Sequence, residues 1–189
     1  LAAAFVLARC AGKGAGPYVF YTKSGELRVA VTGELFELDF PSRPPKPVDV
    51  TPAMSAALGA EVREAHRARD LVLVLDSAER VRGLKPDMQK LKALPDAFGV
   101  IATAPGRDDA DFVSRFFAPG AGIPEDPVTG SSHSTLIPFW AERLGKKELK
   151  ARQLSARGGV LFCQDAGERV RIAGTAKLYL EGAIHAGSV

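Results

Sequence analysis

Slid along itself by 134 positions without gaps, this 189-residue sequence pairs Phe5 with Phe139, Arg9 with Arg143 and Lys13 with Lys147. The same shift pairs Gly25 with Gly159, Leu27 with Leu161, Gly33 with Gly167 and Glu34 with Glu168. Identities alone would carry little. Their weight comes from order, because both copies read as a helix, a glycine-containing turn and alternating strands. A repeat of this length predicts two structurally similar halves. In this register Leu1 matches Thr135, so the counterparts of Gly130 to Ser134 would lie before Leu1. The first half is therefore expected to be incomplete.

Apolar spacing assigns the elements. Residues 1–9 read as a helix, ended by "AGKGAGP". "YVFYTK" and "ELRVAVTGELFELDF" read as half-buried strands, since Leu27, Val29 and Val31 alternate, as do Phe36, Leu38 and Phe40. Four prolines in "PSRPPKP" (41–47) disfavour helix and central strand, which predicts a linker there. Thr51 and Pro52 mark a helix start and Gly59 its stop. Strands are expected over 70–76, 99–103, 111–117, 149–155, 159–164, 168–173 and 176–181, with a short helix over 86–93. One further helix opens near Thr129 and runs to Leu144 before Gly145. Leu136, Trp140 and Leu144 keep an i, i+4 stripe through Pro138, so one kinked helix is expected.

Charge and cysteine usage exclude several classes. Twenty-five Lys and Arg against 22 Asp and Glu leave a net +3, too dispersed for nucleic-acid binding. Arg143, Lys146, Lys147, Lys150 and Arg152 read as a solvated helix end and loop. Cys10 and Cys163 are too few for a disulfide framework and lack metal-ligand spacing, which fits a reducing, cytoplasmic setting. The apolar start, "LAAAFVLARC", lacks a basic flank and a small-residue cleavage site, and it is too short to span a membrane. It reads as a buried helix lacking its beginning.

The stretch "PEDPVTGSSHSTLIPFW" (124–140) is where chemistry concentrates. A helix N-terminus offers unpaired N–H groups and about half a positive charge. Gly130 permits close approach to the backbone, while Thr129 and Ser131 add hydroxyls, so the turn suits a carboxylate or another anion. Asp126 is placed to accept a hydrogen bond or shuttle a proton, with Glu125 to orient it. The alternative is plain capping by Asp126 or Thr129, with the serines satisfying the first turn. His133 reads either as an acid–base group or as a structural histidine. His66 and His185 have no partner pattern. Neither cysteine falls at a helix N-terminus that would activate a thiolate.

The segment from Arg115–Phe116–Phe117–Ala118–Pro119 through Glu125–Asp126–Pro127–Val128–Thr129–Gly130–Ser131 to Trp140 resembles the signature of the phenazine-biosynthesis isomerase family, the PhzF-like proteins. The likeness extends over nearly the whole chain. Family members commonly carry alanine at the position of Ser132 and often cysteine at that of Ser134. The resemblance implies an α+β, diaminopimelate-epimerase-like fold, with two similar domains, each a mostly antiparallel β-barrel-like sheet around a central helix. Residues 1–45 would then be the end of the first domain, 46–185 the second and 186–189 a tail. The resemblance also implies isomerisation by proton transfer on a small carboxylate-bearing substrate, without cofactor or metal. Asp126 would assist proton transfer. Ser131 and the Gly130 amide would hold the carboxylate, with Thr129 and His133 completing the binding group. Family members further carry a catalytic glutamate and a Cys-Gly-His-Ala-Thr-like turn ahead of the position of Leu1. Residues 1–189 alone are therefore expected to be inactive, and either a homodimer or association with an N-terminal fragment is expected. Two rival classes are a cysteine-dependent epimerase, against which Ser131 stands where a thiol is needed, and a non-catalytic carboxylate-binding protein.

Overall fold

Alternating apolar residues need a sheet with a covered face, and the computed structural model supplies one. It describes residues 1–14, 16–22, 25–95 and 98–183; His185 and the tail 186–189 lie outside that range. Twelve strands form one mixed, mostly antiparallel sheet. They are β1 (Tyr18–Thr22), β2 (Gly25–Thr32), β3 (Leu35–Pro41), β4 (Lys46–Val48), β5 (Glu64–Arg67), β6 (Leu71–Val74), β7 (Val100–Pro105), β8 (Phe112–Ala118), β9 (Ile123–Asp126), β10 (Glu148–Gln153), β11 (Gly159–Asp165) and β12 (Arg169–Gly174). The order is β1-β2-β3-β12-β11-β10-β8-β7-β6-β5-β4, with β9 beside β8. Among the described residues, only β6–β7 and β8–β10 pair in parallel.

The repeat is visible in hydrogen-bond register. Val29 faces Leu38 across β2–β3, and their counterparts 134 positions on, Cys163 and Ile172, face each other across β11–β12. Gly33 and Gly167 both take positive φ in the connecting turns, a conformation that favours glycine. The outer hairpins differ: Val19 faces Arg28, whereas their counterparts Gln153 and Phe162 face Gly159 and Lys150. The halves join through β3 and β12, where Leu38 pairs directly with Ile172, its own counterpart. That self-pairing relates the two hairpins by a local two-fold relation.

Each central strand feeds two cores. Leu71 and Leu73 of β6 pack with Val100, Ala102, Val113 and Phe117 under the helices α2 (Pro52–Leu58), α3 (Ala78–Arg82) and α4 (Met88–Lys92). Val72, Val74, Phe112 and Phe116 face the other way, onto α5 (Gly130–Leu144). Residues Ser132 to Ala141 of α5 are all buried, so this helix is wrapped on every side and Gly145 ends it in a left-handed cap. Each fully buried Leu, Ile or Phe there contributes about 1.5–3 kcal/mol. Ala2–Phe5 forms the short helix α1, which continues as a wider π turn through Val6–Cys10.

Several expectations need correction, beginning with the buried first helix: of Ala2–Cys10 only Ala4 is buried, and Val6 is 48% exposed. Pro138 lacks the N–H that would bond the Ser134 carbonyl four residues back. That carbonyl instead accepts the Arg43 N–H at 2.9 Å, so the segment expected to be a free linker is pinned to α5. The linker itself is shorter than 41–47: β3 runs through Pro41, and β4 starts at Lys46 as the edge strand, where Pro47 is tolerated. No strand forms over 176–181. Leu178 and Leu180 are 52% and 80% exposed, because alternation without a partner edge makes no ladder. Among the described residues, no helix is long and apolar enough to cross a membrane.

Candidate active site

The first turn of α5 emerges from the end of β9, and its cap is not spent on itself. Thr129 occupies the N-cap position with extended backbone but makes no side-chain cap bond. Its hydroxyl instead donates to Asp126 Oδ2 at 2.6 Å. Thr129 therefore does not cap the helix through its side chain, although Ser132 Oγ bonds the Thr129 carbonyl as the alternative expects. Gly130 and Ser131 are half-buried and sit at the mouth of the turn, and the nearest atoms to an added Gly130 Cβ would be the Phe40 ring at 3.6 Å.

A buried glutamine holds the turn in place. Gln153, at the end of β10, accepts the Thr129 N–H on Oε1 at 2.8 Å. Its amide nitrogen donates to the Asp126 carbonyl at 2.6 Å and to Thr129 Oγ1 at 3.1 Å. One side chain thus fixes both the residue that could move a proton and the start of the helix. Asp126 Oδ1 has no partner among the described residues and remains available to a ligand. Ser155 adds a brace by donating to the Pro127 carbonyl at 2.7 Å.

His133 lies beneath this turn and not at its mouth. It is fully buried, and Nδ1 donates to the Thr129 carbonyl at 2.7 Å, a carbonyl that also accepts from Ser132 Oγ at 2.9 Å. A carbonyl can only accept, so Nδ1 carries the proton and Nε2 the lone pair. Burial lowers the imidazole from 6.5 to about 4. An unfolded chain therefore binds an extra proton between those values, and stability that is complete above pH 6.5 declines as pH falls toward 4. The loss from pH 7 to pH 5 is expected to be about 2 kcal/mol. Urea unfolding at both pH values checks it: His133→Asn, which can still donate to Thr129, should lose that part of the slope. Equal slopes in variant and parent would show that another group titrates.

Besides the contacts of Gln153, two interactions were not foreseen from the sequence. Arg69, in the turn between β5 and β6, donates to Ser131 Oγ at 3.0 Å. Glu125 does not orient Asp126; its carboxylate forms two bonds with Arg115, at 2.7 and 2.9 Å. Neither has a periodic signal, although Arg115 and Glu125 lie on the antiparallel β8–β9 pair, in which Phe116 faces Asp126. The remaining candidates fall outside the turn. His66 pairs with Glu64, and burial pushes the Cys163 thiol up to about 12, well out of nucleophilic range. Arg143 bonds Glu64, Lys146 bonds Asp111, and Lys150 and Arg152 share Asp109, so that basic run is largely neutralised locally.

Comparison with known proteins points in one direction. Residues 1–182 match the family described as phenazine biosynthesis-like protein. An uncharacterized isomerase of Pseudomonas aeruginosa is 45% identical over 88% of this chain and 63% of its own length. A crystal structure of a phenazine biosynthesis protein of the PhzF family from Enterococcus faecalis superposes with a TM-score of 0.94 at 45% identity, covering 98% of this chain and 71% of that one. A predicted epimerase from Pseudomonas aeruginosa shares the fold at 17% identity, with a TM-score of 0.60 over 95% of this chain and 72% of that one. The chain thus spans less than two thirds of the length of the first of these relatives.

Proposed function

This chain belongs to the phenazine biosynthesis-like (PhzF) family, with an α+β, diaminopimelate-epimerase-like fold, and we propose that it serves an isomerase that moves a proton on a small carboxylate-bearing substrate without a cofactor. The observation that carries this reading is the division of labour at the start of α5. Thr129 gives its hydroxyl to Asp126 instead of capping the helix, which leaves the first amides for an anion. The Gly130 and Ser131 amides, the Ser131 hydroxyl and the helix dipole bind the carboxylate. A carboxylate side chain is a poor ligand for another carboxylate, so the role of Asp126 beside it is proton handling.

The test is solvent exchange. Candidate carboxylates are incubated with the whole protein in D2O and followed by proton NMR. A true substrate should lose a carbon-bound proton to solvent at the isomerised position, and Ser131→Ala should raise KM. The reading fails if exchange is seen only with the Ser131→Ala and parent proteins behaving identically, or if no carboxylate perturbs the Gly130 and Ser131 amides.

A further inference from the structure

Ser131 and Arg69 are 62 residues apart in sequence, yet the guanidinium Nη2 donates to Ser131 Oγ at 3.0 Å. Arg69 does not reach there by chance of a loose surface chain. The same Nη2 bonds Asp70 Oδ2 at 3.0 Å, and the guanidinium lies 4.7 Å from the centre of the Phe98 ring. Asp70 is only 1% exposed, at the foot of β6. A buried carboxylate and an aromatic face thus hold a planar cation against the first turn of α5.

The consequence for Ser131 follows from hydroxyl chemistry. A serine oxygen has two lone pairs and one hydrogen. With Arg69 donating into a lone pair, the hydroxyl hydrogen is left to donate elsewhere, and the nearby positive charge polarises it. We propose that Arg69 is the positioning residue that makes Ser131 a donor to the substrate carboxylate, and that Asp70 holds Arg69 in that place. This rests on the anion-binding reading of the α5 turn. The arrangement favours an anion over a neutral isostere, so the corresponding amide of a substrate acid should bind poorly.

The experiment titrates the folded protein with benzoate and, separately, with benzamide, following the backbone amides of Gly130 and Ser131 by NMR. Benzoate should perturb both amides in the parent, and benzamide should not. Arg69→Met should weaken benzoate by about tenfold, the scale of a hydrogen bond to a charged group. Arg69→Lys, which keeps charge but loses the planar fork, should fall between. The decisive readout is the double variant: if Arg69 acts through Ser131, Arg69→Met should add little once Ser131→Ala is present. Additive losses, or undiminished benzoate binding in a correctly folded Arg69→Met protein, would overturn the role of Arg69 while leaving the anion site intact. No benzoate response at Gly130 and Ser131 in the parent would overturn the anion site, and this inference with it.

Discussion

Asp126→Asn is expected to lower turnover of the whole protein by about 10²–10⁴-fold, the range ascribed to a positioned acid or base. The substitution is close to isosteric. An asparagine oxygen can still accept the Thr129 hydroxyl that reaches Asp126 Oδ2 at 2.6 Å, and the Asp126 carbonyl keeps its bond from Gln153. The turn should therefore stay folded, with an unchanged melting temperature, while the group that exchanges the proton is gone. Binding supplies the sign that separates this role from a structural one. Removing a negative charge beside an anion site should leave KM unchanged or lower it, even as kcat collapses. A kcat within about threefold of the parent would rule out proton transfer by Asp126, since even the low end of acid–base effects is larger. A rise in KM with kcat preserved would instead make Asp126 a binding group.

Much of this was readable from local pattern. The α5 helix, its end at Gly145 and the β2–β3 and β11–β12 hairpins follow from apolar spacing and turn glycines, which are properties of a few consecutive residues. The crossing of β3 with β12 was not readable, because the 134-residue repeat says the halves are alike without saying how they meet. Short strands escaped for a related reason. β5 carries Glu64 and His66, and it is a strand only because β4 and β6 flank it. The segment over 176–181 shows the reverse: it alternates well and finds no partner. At the site, Thr129, Gly130, Ser131 and Asp126 were legible as a polar cluster beside a helix start. Gln153 and Arg69 were not, since each owes its role to an interaction with a residue 24 or 62 positions away. Ser132 and His133 were legible as polar residues, but only the wrapped helix shows that they brace the turn from inside.

Arg115→Met is expected to destabilise the protein by about 3 kcal/mol, the lower end for breaking a buried ion pair by removing one partner. The pair is well enclosed, with the side chains of Arg115 and Glu125 only 12% and 22% exposed. Arg115 does more than neutralise Glu125. Its Nη1 donates to the Leu84 carbonyl at 2.8 Å, closing the turn after α3, and the guanidinium lies 5.0 Å from the centre of the Phe117 ring. The methionine would leave a carboxylate without its cation and the Leu84 carbonyl without this donor. For a chain of this length, that loss corresponds to a fall of about 6–12 °C in melting temperature. Glu125→Leu should cost a similar amount, for it strands the arginine. The double variant Arg115→Met, Glu125→Leu should cost less than the two singles together, because neither charge is then left alone. Thermal unfolding of the four proteins decides it. Strict additivity, or a single-variant loss below about 1 kcal/mol, would place the pair with ordinary surface salt bridges. The pair also bears on chemistry, since Glu125 precedes Asp126 on β9. If Arg115 fixes that strand against β8, the Arg115→Met protein should lose turnover even at temperatures where it remains folded, through displacement of the Asp126 carboxylate and not through any change in its identity.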